Sequence, residues 1–393
     1  MTSAPPRYAM FSRAEMDRRY DRARELMASR GIDALLISGE ENFQYLAGAS
    51  ASIALHHSLT RPNVFILPMD REPIIVTQTG YNLTLGCHVT DLRDYSGLLA
   101  FPHDVAVDAL IDAVPANGRI GAELGQEQRM GIPVGAYLDL VAALGDAEFV
   151  DATDIVINLR IVKSEEELVY IRKAADITSR ARQRLFDGLV EPGMTEREVA
   201  RTLRRLILEE GGDRTSFIHF QLDLPGSKNQ FHYDRPLERG TVLAVDTGAY
   251  NGMYTVDYAR MATLGRATDL QKRVHAAVLE VNRAMADALR PGIKCSELFQ
   301  LGLEAIERTG VSPDNPARVM KGRMGHGQGM LITEPPSIAA EDDTALEAGM
   351  VISTEPGVRS GDVQFLWEDV HVVTQDGHEQ LTLETDELRE IPF

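Results

Sequence analysis

Cysteine is nearly missing: among 393 residues only Cys87 and Cys295 occur, and neither has a partner at CxxC spacing. That excludes a disulfide framework and speaks against a thiolate zinc or redox site. Long apolar runs are missing too, because no stretch of about 18 apolar residues would suit a membrane helix. The N-terminal MTSAPPRYAMFSRAEMDRRYDRARELM lacks an apolar core of signal-peptide length, so a soluble, cytoplasmic protein with no membrane partner is expected. Positive charge is also short: 40 Lys and Arg face 59 Asp and Glu, a formal net charge of -19. Such a chain repels polyanions, which excludes nucleic acid as the expected partner. No internal repeat or low-complexity segment is evident.

What is present is enough chain for two domains, because single cores rarely grow beyond about 250 to 300 residues. Arg13 to Arg30 has helical periodicity, with Met16, Tyr20, Ala23 and Met27 on one face. GIDALLIS (31–38), NVFILP (63–68), PIIVTQ (73–78) and RIGAEL (119–124) read as strands, and 133–144 reads as a helix. This is an α/β pattern over residues 1–158. Ser164 with Glu167, and Thr195 with Glu198, have capping-box spacing, so two helices open the second domain, 159–393, with Gly211 as a stop. TVLAVDTG, MYTVDYARMATLG, MVISTEPG and VQFLWEDVHVV are short, turn-bounded and β-rich, with helices near 270–289 and 296–309 interrupting them. The second domain is therefore expected to be α+β.

The stretch VDTGAYNGMYTVDYAR (245–260) places two carboxylates where a sheet normally excludes charge. Asp246 and Asp257 flank the Asn251-Gly252 turn, and a hairpin would set them across from each other. Carboxylates that close repel, and need protons, a cation or a metal. Glu355, at the end of MVISTE, and Glu368, within FLWED, sit in similarly apolar contexts, and His326 lies among Gly325, Gly327 and Gly329 of MGHGQGM. Four carboxylates and one imidazole suit Mn, Co, Fe or Zn, and their charge is matched by two divalent ions. Each piece alone has an ordinary reading: a solvated hairpin carboxylate, a glycine turn, an EPG turn. It is the joint arrangement that points to a two-metal site.

In these motifs, from about Leu159 of LRIVKSEEELVYIRKAADI to Val373, the chain resembles the pita-bread metallopeptidase family of prolidases, aminopeptidase P and methionine aminopeptidase, whose relatives include creatinase. The family's D-x-G-A, D-x-x-R, G-H-G-x-G, E-P-G and E-D motifs fall on Asp246, Asp257, His326, Glu355 and Glu368. The resemblance implies a C-terminal pita-bread domain behind an α/β creatinase-type N-terminal domain, with two divalent ions held by those five residues. It further implies attack on a carbonyl by water activated between the ions, with Glu355 handling the proton. By the same resemblance His232 of NQFHYDRP steadies the tetrahedral intermediate or orients substrate, and Arg260 braces the metal carboxylates from behind. A homodimer is implied, with the N-terminal domain of one subunit near the other's site, where Arg61 of SIALHHSLTRP would hold a substrate carboxylate. A solvated basic loop is an equal reading of that segment. His219 in SFIHFQ would line the pocket, with a satisfied core histidine as the equal alternative.

Two departures bear on substrate. Thr333 stands where the family's GHGxGLxxHExP carries a second histidine, and a hydroxyl lacks the charge and reach of an imidazole. Leu366 stands where proline-specific members carry arginine, removing a fork of donors for a carboxylate. Trp367, which follows, is weighed at roughly two to one for core packing over a substrate platform. Thr333 and Trp367 thus join Arg61 and His219 as candidate substrate contacts. The expected function is hydrolysis of an amide or imide C-N bond in a small or short-peptide substrate, of the Xaa-Pro dipeptidase or aminopeptidase kind. The alternative is a family member acting on a small osmolyte or amino-acid derivative, like the dimethylsulfoniopropionate lyases or creatinase. The lyases carry an extra aspartate where this chain has Gly248, and creatinase has lost ligands that are all present here. A silent binding protein is disfavoured because the five ligands are retained.

Overall fold

Ser12 caps the first helix, Arg13–Arg30, by accepting the Glu15 N–H at 3.1 Å, and Gly31 ends it in the left-handed region at φ 62. Met16, Tyr20, Ala23 and Met27 are its buried face, as the periodicity predicts. The computed structural model describes residues 6–50, 61–78, 80–97, 99–222, 234–311, 322–360, 363–382 and 384–393. It divides into two units, Met1–Arg160 and Ile161–Phe393.

The first unit is built on a six-stranded sheet of β1 (Ala34–Ile37), β2 (Val64–Pro68), β3 (Ile74–Thr77), β4 (Asp91–Asp94), β5 (Arg119–Ala122) and β6 (Glu148–Asp151). Their order is β4-β3-β2-β1-β5-β6. Parallel pairs β3/β4, β1/β5 and β5/β6 flank the antiparallel run β1/β2/β3, so the sheet is mixed. β1, β2 and β3 are buried along their whole length, which is why they read as unbroken apolar runs rather than alternating ones.

The second unit opens with the helices Glu165–Phe186 and Glu196–Glu209, each started by the capping box predicted for it. One sheet, in the order β18-β10-β8-β7, contains β7 (Arg214–Leu222), β8 (Val242–Asn251), β10 (Tyr258–Leu264) and β18 (Arg389–Ile391), with β9 (Tyr254–Thr255) pairing β8. The other, β12-β11-β13-β16-β17, contains β11 (Arg323–Gly327), β12 (Glu334–Ala339), β13 (Val351–Thr354), β16 (Asp369–Val373) and β17 (His378–Gln380). β14 (Gly357–Ser360) and β15 (Val363–Leu366) form a separate hairpin. The helices Asp269–Ala288 and Cys295–Thr309 bury Val278, Met285, Leu298 and Ile306 in one core with Ile352, Phe365 and Trp367. Runs of strands broken by helices make this unit α+β. Among the described residues no helix is long and apolar enough to cross a membrane.

Candidate metal centre

The hairpin that carries the two aspartates is not the regular one the sequence suggests. β8 pairs Tyr250 with Thr255 and Asn251 with Tyr254, then resumes on β10 with Thr247 opposite Tyr258 and Asp246 opposite Ala259. Val256 and Asp257 fall in the gap, outside any strand. Asp257 is therefore not the cross-strand partner of Asp246, contrary to expectation. The break has a local cause in Gly248: a Cβ there would sit 1.6 Å from the Val256 carbonyl oxygen, so only glycine lets the chain bulge inward. The lyases' aspartate at that position has no room in this backbone.

On the second sheet, His326 is held in β11 by close backbone packing, since a Cβ on Gly325 would meet the Ser353 oxygen at 2.0 Å. The His326 N–H donates to Ser353 Oγ at 3.2 Å, and His326 Nδ1 donates to the Gly327 carbonyl at 3.0 Å. A carbonyl only accepts, so the proton is on Nδ1 and the Nε2 lone pair is free to coordinate. Burial, with Arg323 adding to it, lowers the imidazole to about 4, which keeps it neutral. Glu355 follows β13 with its N–H on the Met324 carbonyl at 2.8 Å, and Glu368 precedes β16. The two sheets meet here, where the Glu368 N–H reaches the Ala259 carbonyl at 3.4 Å.

Around His326 Nε2 stand Glu368 Oε1 at 3.7 Å, Asp257 Oδ2 at 3.8 Å and Glu355 Oε2 at 4.0 Å. Burial, then Asp246 and Glu368, push the Asp257 carboxyl well above its usual range, and burial, then Glu355 and Asp246, do the same to Glu368. Asp257 Oδ1 and Glu368 Oε1 are buried and have no hydrogen-bond partner among the described residues. Asp257, His326 and Glu368 each offer a donor atom within 4.8 Å of the others. Buried carboxylates that repel, keep single oxygens without a donor at Asp257 and Glu368, and face a neutral imidazole lone pair fit divalent cations. Asp246 belongs to the same cluster through its charge, which raises both Asp257 and Glu368.

The remaining sequence candidates fall in different places. His219 pairs with Asp246 across β7 and β8, and its Nδ1 lies 3.9 Å from Asp246 Oδ2 with 42% of the side chain exposed. It stands beside the cluster, not in the core. Thr333 is exposed in the bend before β12. Arg61 is half-buried in the first unit, while His232, like His56 and His57, lies outside the described residues.

Trp367 follows the core-packing reading and falls away as a candidate substrate contact. It is 1% exposed, donates its Nε1–H to Asp369 Oδ2 at 2.8 Å and packs among Phe365 and the core, so no face is left for substrate. Arg260 reaches the cluster from behind, through the main chain of Glu368 and the neighbouring Asp369 carboxylate. Its Nη1 donates to the Glu368 carbonyl at 2.5 Å, its Nη2 to Asp369 Oδ1 at 2.5 Å, and its guanidinium lies over the Trp367 ring at 4.0 Å. Burial alone would raise Asp369, but Arg260 and the Thr382 hydroxyl outweigh it and hold that carboxyl below its ordinary range.

Sequence reasoning missed Ser353, Gln328 and the buried pair Lys163 and Glu334, whose Nζ and Oε2 are 3.5 Å apart. Only Gln328 left a trace, as the polar side chain that accompanies His326 inside the glycine run.

The profile described as metallopeptidase family M24 matches residues 169–375, and that of the creatinase/prolidase N-terminal domain matches 19–162. The Xaa-Pro dipeptidase of Pyrococcus horikoshii is 26% identical over 372 residues, which cover 93% of this chain and 96% of that one. The Xaa-Pro dipeptidase of Lactobacillus delbrueckii subsp. lactis is 31% identical over 273 residues, 67% of this chain and 72% of that one. Among solved structures, the dipeptidase PepE of Mycobacterium ulcerans superposes with a TM-score of 0.79 over 98% of this chain and 100% of its own, at 27% identity.

Proposed function

Because the chain belongs to metallopeptidase family M24, with a creatinase/prolidase N-terminal domain ahead of the catalytic one, we propose that it is a metal-dependent dipeptidase with Xaa-Pro dipeptides as its first substrate class. The observation that carries this is the convergence of Asp257, Glu355 and Glu368 on the neutral Nε2 of His326, with buried carboxylate oxygens left without donors. Asp246, Asp257, His326, Glu355 and Glu368 are the proposed ligands. Bound there, two divalent ions supply charge that polarises a carbonyl and lowers the pKa of water. Mn, Co, Fe and Zn all suit a set of carboxylates with one imidazole.

The chain's own groups divide the remaining work. Glu355 and Asp246 keep 22% and 20% of their side chains open, whereas His326 and Glu368 are closed at 2% and 1%, so substrate meets the cluster from the Glu355 and Asp246 side. We assign to Glu355 the task of taking the proton from water and returning it to the leaving nitrogen, which its partly open side chain supports. His219, exposed beside Asp246, orients substrate on that side. We assign His232 to the same task from its motif. Thr333 leaves a hydroxyl where an imidazole would bind, and Leu366 removes a carboxylate clamp; Arg61, supplied by the N-terminal domain of a second subunit in a homodimer, takes the substrate carboxylate instead. A cytoplasmic setting accords with the two free, buried cysteines. The osmolyte or creatinase-like alternative is not favoured, since relatives spanning most of the chain are dipeptidases and Gly248 leaves no room for the lyase aspartate.

Purified enzyme reconstituted with Mn(II), assayed on Xaa-Pro dipeptides and Xaa-Pro tripeptides with EDTA controls, tests this directly. Cleavage abolished by EDTA is expected, with Glu355→Gln lowering kcat by roughly 10²- to 10⁴-fold. A folded, metal-loaded enzyme that cleaves none of the panel overturns the assignment.

A further inference from the structure

Asp257 lies in the gap between β9 and β10, so no strand partner takes up its main-chain N–H and C=O. Both are taken by one side chain. Gln328 accepts the Asp257 N–H on Oε1 at 2.9 Å and donates Nε2–H to the Asp257 carbonyl at 2.6 Å, and it is fully buried. The carboxamide imitates a strand neighbour, closing a two-point pairing with a residue of the other sheet's side.

The loop that carries this side chain is itself pinned. The Gln328 N–H donates to the Val351 carbonyl at 3.0 Å, and the Gly329 carbonyl accepts the Thr255 N–H at 2.8 Å. Beneath it, Glu334 Oε1 accepts the N–H groups of Met330 and Leu331 at 3.1 and 3.0 Å, while its Oε2 faces Lys163. A Cβ on Gly329 would meet both Glu334 and Lys163 at 2.9 Å, so the loop is packed directly against that pair. His326 is two residues away on the same segment. A rigid support carrying His326 therefore also fixes the backbone of Asp257.

We infer that Gln328 is a positioning residue that sets the Asp257 carboxylate against His326, so that ligands from two sheets converge on one ion; this rests on the metal reading above. Hydrogen bonds that orient a ligand typically change metal affinity by about 10- to 100-fold when removed. Gln328 acts on the ligand's main chain, so its removal loosens the angle of Asp257 while every donor atom remains.

The test is titration calorimetry of the metal-free protein with Mn(II), comparing wild type with Gln328→Met, which keeps the volume and loses both hydrogen bonds. The visible absorption of bound Co(II) reports coordination geometry in parallel, and circular dichroism checks the fold. The expected result is Mn(II) affinity weakened about 10-fold or more in a folded variant, an altered Co(II) spectrum, and turnover restored by excess Mn(II). A folded variant with wild-type affinity and spectrum overturns the inference and leaves Gln328 a packing residue. Should Gln328→Met not fold, Gln328→Asn keeps an amide but is too short to span both groups, and carries the same expectation. Wild type that binds no ion defeats the metal reading itself, an outcome distinct from equal binding by wild type and variant.

Discussion

His275 and His371 take no part in the proposed reaction, yet being buried they make the fold sensitive to acid. His275 is buried edge-on to Phe365 and Trp367 with Nε2 unpartnered, and His371 is fully buried, with Nε2 3.2 Å from the Thr354 hydroxyl and Nδ1 unpartnered. Burial lowers each imidazole to about 4, against Asp386 for His275 and Asp369 for His371. A base whose folded pKa lies below its unfolded one binds more protons when unfolded, so its contribution to stability is full above about pH 6.5 and is lost as pH drops toward 4. Each histidine accounts for up to roughly 3 kcal/mol of that loss. Urea unfolding of metal-free protein between pH 7 and 4.5 should give a shallower slope for His275→Gln than for wild type; parallel slopes would sink the assignment. Neither histidine announced this in the sequence, where burial is invisible for a residue without a motif. Trp367 shows the same limit. Its neighbour Glu368 is legible from E-D, but whether an aromatic ring faces substrate or core is decided by residues far along the chain, here Arg260 and His275.

At the scale of the element, the hairpin 242–264 was legible in its strands and turn and not in its register. β-branched and aromatic residues mark β8 and β10, and Asn251-Gly252 marks the reversal. A two-residue interruption at Val256 and Asp257 has no such mark, because it follows from how closely Gly248 admits the Val256 carbonyl. Gly248→Ala tests that contact. The added methyl meets a main-chain oxygen that no rotamer change can move, so a loss of about 2 to 3 kcal/mol is expected in chemical denaturation. Metal affinity should fall with it, because the strain is delivered to Asp257. An unchanged midpoint would show that the break is held by other contacts. The capped helices Glu165–Phe186 and Glu196–Glu209 were the most legible elements, since a capping box is written in four consecutive residues.

At the scale of the whole molecule, the two-unit organisation was legible, and so were the five proposed ligand positions as candidates, because each sits in a short motif of its own. Their convergence was not, since it depends on two sheets meeting at Glu368 and Ala259. Asp246 and Asp257 arrive with one sheet, and His326, Glu355 and Glu368 with the other. That division has a kinetic consequence. No single hairpin contains a complete binding site, so a divalent ion finds its full ligand set only after the sheets have docked. Ion binding should then leave the refolding rate alone and slow unfolding. At a free ion concentration of one hundred Kd the stabilisation is about 2.7 kcal/mol, or unfolding slower by about 100-fold. Stopped-flow refolding and unfolding in Mn(II) and in EDTA would separate the two limbs, and a refolding limb accelerated by Mn(II) would mean that the sheets dock before the transition state. On this account the ions act as a lock on a finished structure, and depletion of metal shortens the lifetime of the folded enzyme without impairing its birth.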